Sequence, residues 1–219
     1  MTAPLQDQHK CVALIISCRK YLYTRAAKQD TSALPFDFKY FIGEDPSSNL
    51  ALPLNTIELP CNDSYESLPH KVNEAIKWAK ANLNFDYILK TDDDIVFNAP
   101  AIRDVFSIVT SRQVDYAGSF SRSKLPLYSY SHLGSCEDPI LRCIPMLGPR
   151  SPYASGGAYF LSARAVDAYL DVYSSIPDHL IYEDGVMGEC LSASSIFKDI
   201  VVQPFPPDEY RKAFFWDDE

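Results

Sequence analysis

A chain of 219 residues with 47% hydrophobic and 22% charged side chains is not a disordered chain; it has room for one well-buried α/β domain, or at most two small ones. Its formal net charge is −9 and it shows no clustered basic face, which excludes a duplex-binding protein held by counterion release. An acidic protein that handles an anionic ligand must gather positive charge locally or borrow it from a metal ion.

From the amino terminus, MTAPLQDQHKCVALIIS is too polar, and its apolar run too short, for a signal peptide. No stretch of about 18 apolar residues encodes a membrane span. The chain is therefore expected to be soluble and cytoplasmic, in the host cytoplasm if its source is a virus. CVALIIS (11–17) reads as a central parallel strand, and the basic CRKYLYTRAAKQD after it as the start of a helix. FDFKYFIG (36–43) reads as a second strand and LNTIELP as a short third. Leu68, Val72, Ala75, Ile76, Ala79 and Leu83 recur at helical spacing over 66–83, with Pro69 in the first turn, where a missing N–H is harmless. FDYILKTDDDIVF (85–97) is a strand broken at its acids, APAIRDVFSIVTS a helix, and VDYAGSF a strand.

Residues 121–153 mix Pro, Ser, Tyr and Gly without a period, as a functional loop or lid does. Then ASGGAYFLSARAVDAYLDVY passes from a glycine pair through a strand into a helix. IYEDGVMGECL is a turn opening a helix, DIVVQPF a last strand, and 211–219 a loose tail. Strands alternating with helices predict a single α/β domain, with ligands at the carboxyl ends of the strands. The six cysteines (11, 18, 61, 136, 143, 190) are irregularly spaced without a CxxC. Free thiols are expected, Cys136 and Cys143 being the one pair left open, and no structural zinc.

Asp92, Asp93 and Asp94 repel one another at the end of a very apolar strand. A solvated acidic turn is the plain explanation. A divalent cation is the alternative, since hard oxygen ligands suit Mg²⁺ or Mn²⁺. The context favours the cation: IVF resumes at once, and a second acidic pair, Glu183-Asp184, lies in a glycine-containing turn. In an extended chain Asp92 and Asp94 face one way and Asp93 the other. Lys90, of the same parity as the outer pair, either neutralises them or faces a phosphate. A cation for a leaving group and a separate carboxylate for a proton make a metal-plus-base site.

Four blocks, NDSYESLPHKVNEAIKWA, FDYILKTDDDIVF, SPYASGGAYFLS and YEDGVMGECL, resemble in order and interval the motif series of β-1,3-galactosyltransferase-like and fringe-like glycosyltransferases. The resemblance covers most of residues 11–192. It implies a GT-A fold with a mixed, mainly parallel sheet flanked by helices, a nucleotide-sugar donor (usually a UDP-sugar), Mn²⁺ or Mg²⁺, and inversion at the anomeric carbon. It also implies Asp94 as the main metal ligand with Asp92 assisting beside the donor's ribose or sugar, and Asp93 near the donor sugar. Asp184 matches the general base, Arg25 an arginine near the nucleotide, and Asp63 and Lys71 the DSY…K block. The partners implied are a nucleotide-sugar and a carbohydrate acceptor, the chain being a whole enzyme or one module of a longer transferase.

The chain departs from that pattern in having Ala154 where the family commonly has Cys and Gly185 where a valine is usual. It also lacks a counterpart of the late metal-binding His, the last histidine being His179. Water, or an acid such as Asp208, would complete the shell. Ser17 and Arg19 stand where the crevice should open, Arg19 being equally readable as a surface charge. Gly156 and Gly157 make a tight turn or let backbone approach the donor sugar. Glu183 supports the site from behind or caps its helix. Tyr128, Tyr130 and His132 offer stacking faces and polar groups to an acceptor sugar. The rival readings are another metal-dependent nucleotidyl or phosphoryl enzyme, and a non-catalytic carbohydrate-binding domain.

Overall fold

The computed structural model describes residues 9–45, 51–53, 55–121, 128–130, 132–177 and 180–216. β1 (Cys11–Ile16) is buried at all six positions. A single turn, α1 (Arg19–Tyr21), runs into a π-helical turn, Leu22–Ala26. β2 (Asp37–Gly43) and β3 (Thr56–Leu59) precede α2 (Leu68–Asn82), which buries Val72, Ala75, Ile76 and Ala79 along one stripe. β4 (Tyr87–Asp92) stops at the first aspartate, and a turn at Asp93–Asp94 leads into β5 (Ile95–Phe97). α3 (Ala99–Ser111) starts under Asn98, whose side chain accepts the Ala101 N–H.

β6 (Tyr116–Ser121), β7 (Tyr128–Ser129) and β8 (Met146–Leu147) come next. β9 (Tyr153–Ser162) then passes directly into α4 (Ala163–Tyr173), capped by Ser162 on the Ala165 N–H. α5 (Glu183–Ala193), β10 (Val202–Pro204), α6 (Pro207–Tyr210) and β11 (Phe214–Trp216) complete the described chain.

Seven strands form the main sheet in the order β10-β6-β9-β4-β1-β2-β3. β4, β1, β2 and β3 are mutually parallel, β10 is parallel to β6, and β9 runs antiparallel to both its neighbours. Alternate residues of β1 feed two cores. Ala13 and Ile15 face α3 and the carboxyl-terminal segment, while Val12, Leu14 and Ile16 face α2, α4 and α5. A strand covered on both faces has no polar side, which explains its unbroken apolar run. Among the described residues no helix is long and apolar enough to cross a membrane. All six cysteines are free, the open pair Cys136 and Cys143 included.

Two expectations change, and a third gains detail. The Asp92/Asp94 parity fails because extended backbone ends at Asp92, so strand alternation does not reach the next two acids. The tail is ordered through Trp216: β11 pairs antiparallel with β5, and Phe214 is buried. The short strand left by the acidic turn finds its partner there; residues 217–219 lie outside the described residues. Within 121–153, β7 pairs with β8, and Cys136, Met146 and Ile181 form a small core of their own. The described part of that stretch is thus a built wall.

Candidate active site

β1, β2 and β4 end side by side, and the crevice beyond their carboxyl ends is a cleft of about 1200 Å³, above the ~300–1,000 Å³ usual for small-ligand pockets. Ser17, Arg19, Arg25, Asp63, Lys71 and all three aspartates border it. Register explains the grouping. Ile16 lies opposite Asp92, so Ser17 comes beside Asp93 and its Oγ donates to Asp93 Oδ2 at 2.5 Å. Asp94 Oδ2 faces Arg25 Nη1 at 3.4 Å, and that guanidinium stacks over Tyr21 at 4.0 Å. Asp94 Oδ1 is buried without a hydrogen-bond partner among the described residues.

Asp63 and Lys71 brace the same cleft. The Asp63 carboxylate accepts the N–H of Gly43 (2.6 Å) and of Arg19 (2.5 Å), and pairs with Lys71 Nζ at 2.6 Å. Lys71 also donates to the Ser17 carbonyl at 3.0 Å. These bonds lock the ends of β1 and β2 to the start of α2. The Arg19 guanidinium pairs with Glu58.

A second pocket, about 260 Å³, adjoins the first through Asp92 and is lined by Lys90, Gly156, Tyr182, Glu183 and Asp184 among others. At its base Lys90, 1% exposed, donates to Asp92 Oδ1 (2.7 Å), the Gly156 carbonyl (2.7 Å) and Glu183 Oε2 (2.9 Å). Burial alone would depress this ammonium; the Asp92 and Glu183 carboxylates override it and hold its pKa above the ordinary value. Glu183 also receives the Tyr159 hydroxyl. Asp184, on the first turn of α5, accepts the Gly185 N–H at 2.8 Å and the Gly156 N–H at 3.2 Å. Burial, reinforced by the charge of Glu183, pushes its carboxyl up to about 6. Burial likewise lifts Asp92 to about 7, against the pull of Lys90.

The sequence model of the galactosyltransferase family matches residues 55–202, which take in the DSY block, the three aspartates, the glycine pair and the acids at 183–184. The chain belongs to the galactosyltransferase family. It is 30% identical over 165 residues to beta-1,3-galactosyltransferase 4 of Homo sapiens, covering 62% of this chain and 43% of that protein. The protein of the same name from Canis lupus familiaris is 30% identical over 162 residues, covering 58% and 41%. The chain thus spans about two-fifths of the length of the curated relatives it matches. The GT-A-like α/β architecture expected of such a glycosyltransferase domain is the one observed.

Within this galactosyltransferase-family domain the two glycines separate. A Cβ on Gly156 would lie 3.6 Å from the acids Asp184 and Glu183, whereas one on Gly157 would press 2.8 Å from Trp216 Cζ2. Gly157 therefore borders a different cavity, of about 200 Å³, shared with Phe214 and Trp216. Ala154 is fully buried. At Gly185 a methyl group would overlap Pro149, so a valine would not fit beside this wall. Asp208 is exposed on α6 and borders neither acid-lined cavity. His179 lies outside the described residues.

His132 is not an acceptor contact. It is fully buried, with Nδ1 2.6 Å from the Tyr182 hydroxyl and Nε2 2.9 Å from the Ile144 carbonyl. That carbonyl can only accept, so Nε2 donates to it, and Nδ1 shares a hydrogen bond with the Tyr182 hydroxyl. The buried ring packs the wall against the chain entering α5. Tyr128 and Tyr130 are exposed. Sequence reasoning missed the join made by Lys90; its parity with Asp92 was visible, but nothing local marked Glu183 and Gly156 as its other partners.

Proposed function

We propose that this domain transfers a sugar from a nucleotide-sugar, a UDP-sugar in the first instance, to a glycan hydroxyl with inversion at the anomeric carbon. The carrying observation is that Asp92 borders both cavities, so a donor in the large cleft meets an acceptor beside Asp184. The Asp184 carboxylate takes the acceptor's hydroxyl proton as that oxygen bonds to the anomeric carbon, and the bond to the diphosphate breaks on the opposite face. A carboxyl near pKa 6 is ionised at neutral pH yet basic enough to accept that proton. Asp93, fixed by Ser17, and Arg25 line the donor's side.

Among the described residues no group of three or more His, Cys, Asp or Glu side chains could hold a cation by themselves. The unpartnered Asp94 Oδ1 nevertheless fits a divalent ion, which Asp94 would hold with Asp92 assisting. When bound, Mn²⁺ or Mg²⁺ supplies positive charge for the departing diphosphate. The relatives' name makes galactose and a 3-linkage the first combination to assay.

The test is a screen of nucleotide-sugars for Mn²⁺-dependent binding, followed by two variants. Asp184→Asn is expected to lower transfer about 10²–10⁴-fold with donor binding nearly intact; wild-type turnover would refute the base. Asp94→Ala is expected to lose the Mn²⁺-dependent part of UDP affinity, and an unchanged titration would refute the ligand.

A further inference from the structure

The wall formed by residues 132–147 brings a cation into the large cleft that the site described above leaves unused. Arg142 borders that cleft and is exposed. Its guanidinium makes no hydrogen bond or ion pair among the described residues. The cleft's other cations are engaged: Arg19 with Glu58, Lys71 with Asp63, Arg25 with Asp94 and Tyr21, and Lys20 over the Tyr21 ring at 5.0 Å.

The backbone carrying Arg142 is fixed at several points. The Glu66 carboxylate, just before α2, accepts the N–H groups of Glu137 (3.1 Å) and Asp138 (2.9 Å). Asp138 Oδ1 in turn accepts from Ile140 (2.7 Å) and Leu141 (3.1 Å), and the Arg142 N–H donates to the Asp138 carbonyl at 3.1 Å. Leu141 packs on the core of Cys136, Met146 and Ile181. The arginine thus stands on a braced turn, at the edge of a cavity lined by seven carboxylates and five cations. An anionic ligand entering such a cavity binds only where a cation faces it, and a guanidinium presents a donor fork matched to phosphate oxygens.

We propose that Arg142 binds the diphosphate of the donor directly, as a second positive contact supplied by the wall rather than by the strand ends. This rests on the reading of the cleft as a nucleotide-sugar site. The test is titration of wild type, Arg142→Ala and Arg142→Lys with UDP by calorimetry, and with uridine by NMR, both in Mn²⁺. The expected result is a roughly 10–100-fold loss of UDP affinity in Arg142→Ala, partial recovery in Arg142→Lys, unchanged uridine affinity and an unchanged melting temperature. Wild-type UDP affinity in Arg142→Ala, or equal losses for UDP and uridine, would overturn the assignment while leaving the cleft's reading intact. A wild-type protein that binds no nucleoside diphosphate would overturn both.

Discussion

Asp184 is held in a state that costs the fold something. Burial and the neighbouring Glu183 raise its carboxyl to about 6, so the native state prefers it protonated relative to an unfolded chain titrating near ~3.9. The stability this contributes is complete below the unfolded value and is lost as pH rises through 6. Asp184→Asn is therefore expected to melt higher than wild type at pH 7.5 and to match it near pH 3.5. A lower melting temperature at pH 7.5 would contradict the assignment. With Asp184 as the proposed base, transfer should also fall about tenfold per unit below pH 6, read from a pH–kcat profile. Lys90 shows the opposite economy. Lys90→Met leaves Glu183 buried and Asp92 half-buried without their shared cation, a change expected to cost about 3–5 kcal/mol in urea denaturation.

At the scale of elements, α5 meets the wall where Gly185 faces Pro149 without room for a methyl group. Gly185→Val is expected to destabilise by about 1–3 kcal/mol, and adding Pro149→Gly should recover part of that loss. A double-mutant cycle without coupling would show that the two do not oppose each other. Much of this layer was legible in the sequence. The unbroken run of β1 and the three-four spacing of α2 report burial directly, and the glycine-plus-acid blocks mark strand ends and a helix start. What escaped was set by distant partners. His132 reads as a loop residue following two tyrosines until Tyr182 and Ile144 close on both ring nitrogens. Asp93 and Asp94 follow a strand rhythm on paper, but the strand has already ended.

For the whole molecule, the two sheet faces do different work through one strand. β9 presents Gly156 to the acids on one side and Gly157 to Trp216 on the other, so the carboxyl-terminal strand braces the back of the site. Phe214, 4% exposed and against Tyr210 and Phe160, anchors that strand. Phe214→Ala should cost about 3–5 kcal/mol of global stability by chemical denaturation, whereas an unchanged midpoint would return β11 to the status of a loose end. Lys90 has a longer reach. Because its single ammonium ties the aspartate strand, the glycine strand and the acidic helix together, assembling the candidate site and completing the core are one event. A descendant gene could replace the proposed base, Asp184, and persist as a folded protein. Shedding this lysine would forfeit the protein along with the chemistry, so inactive cousins are expected to keep it.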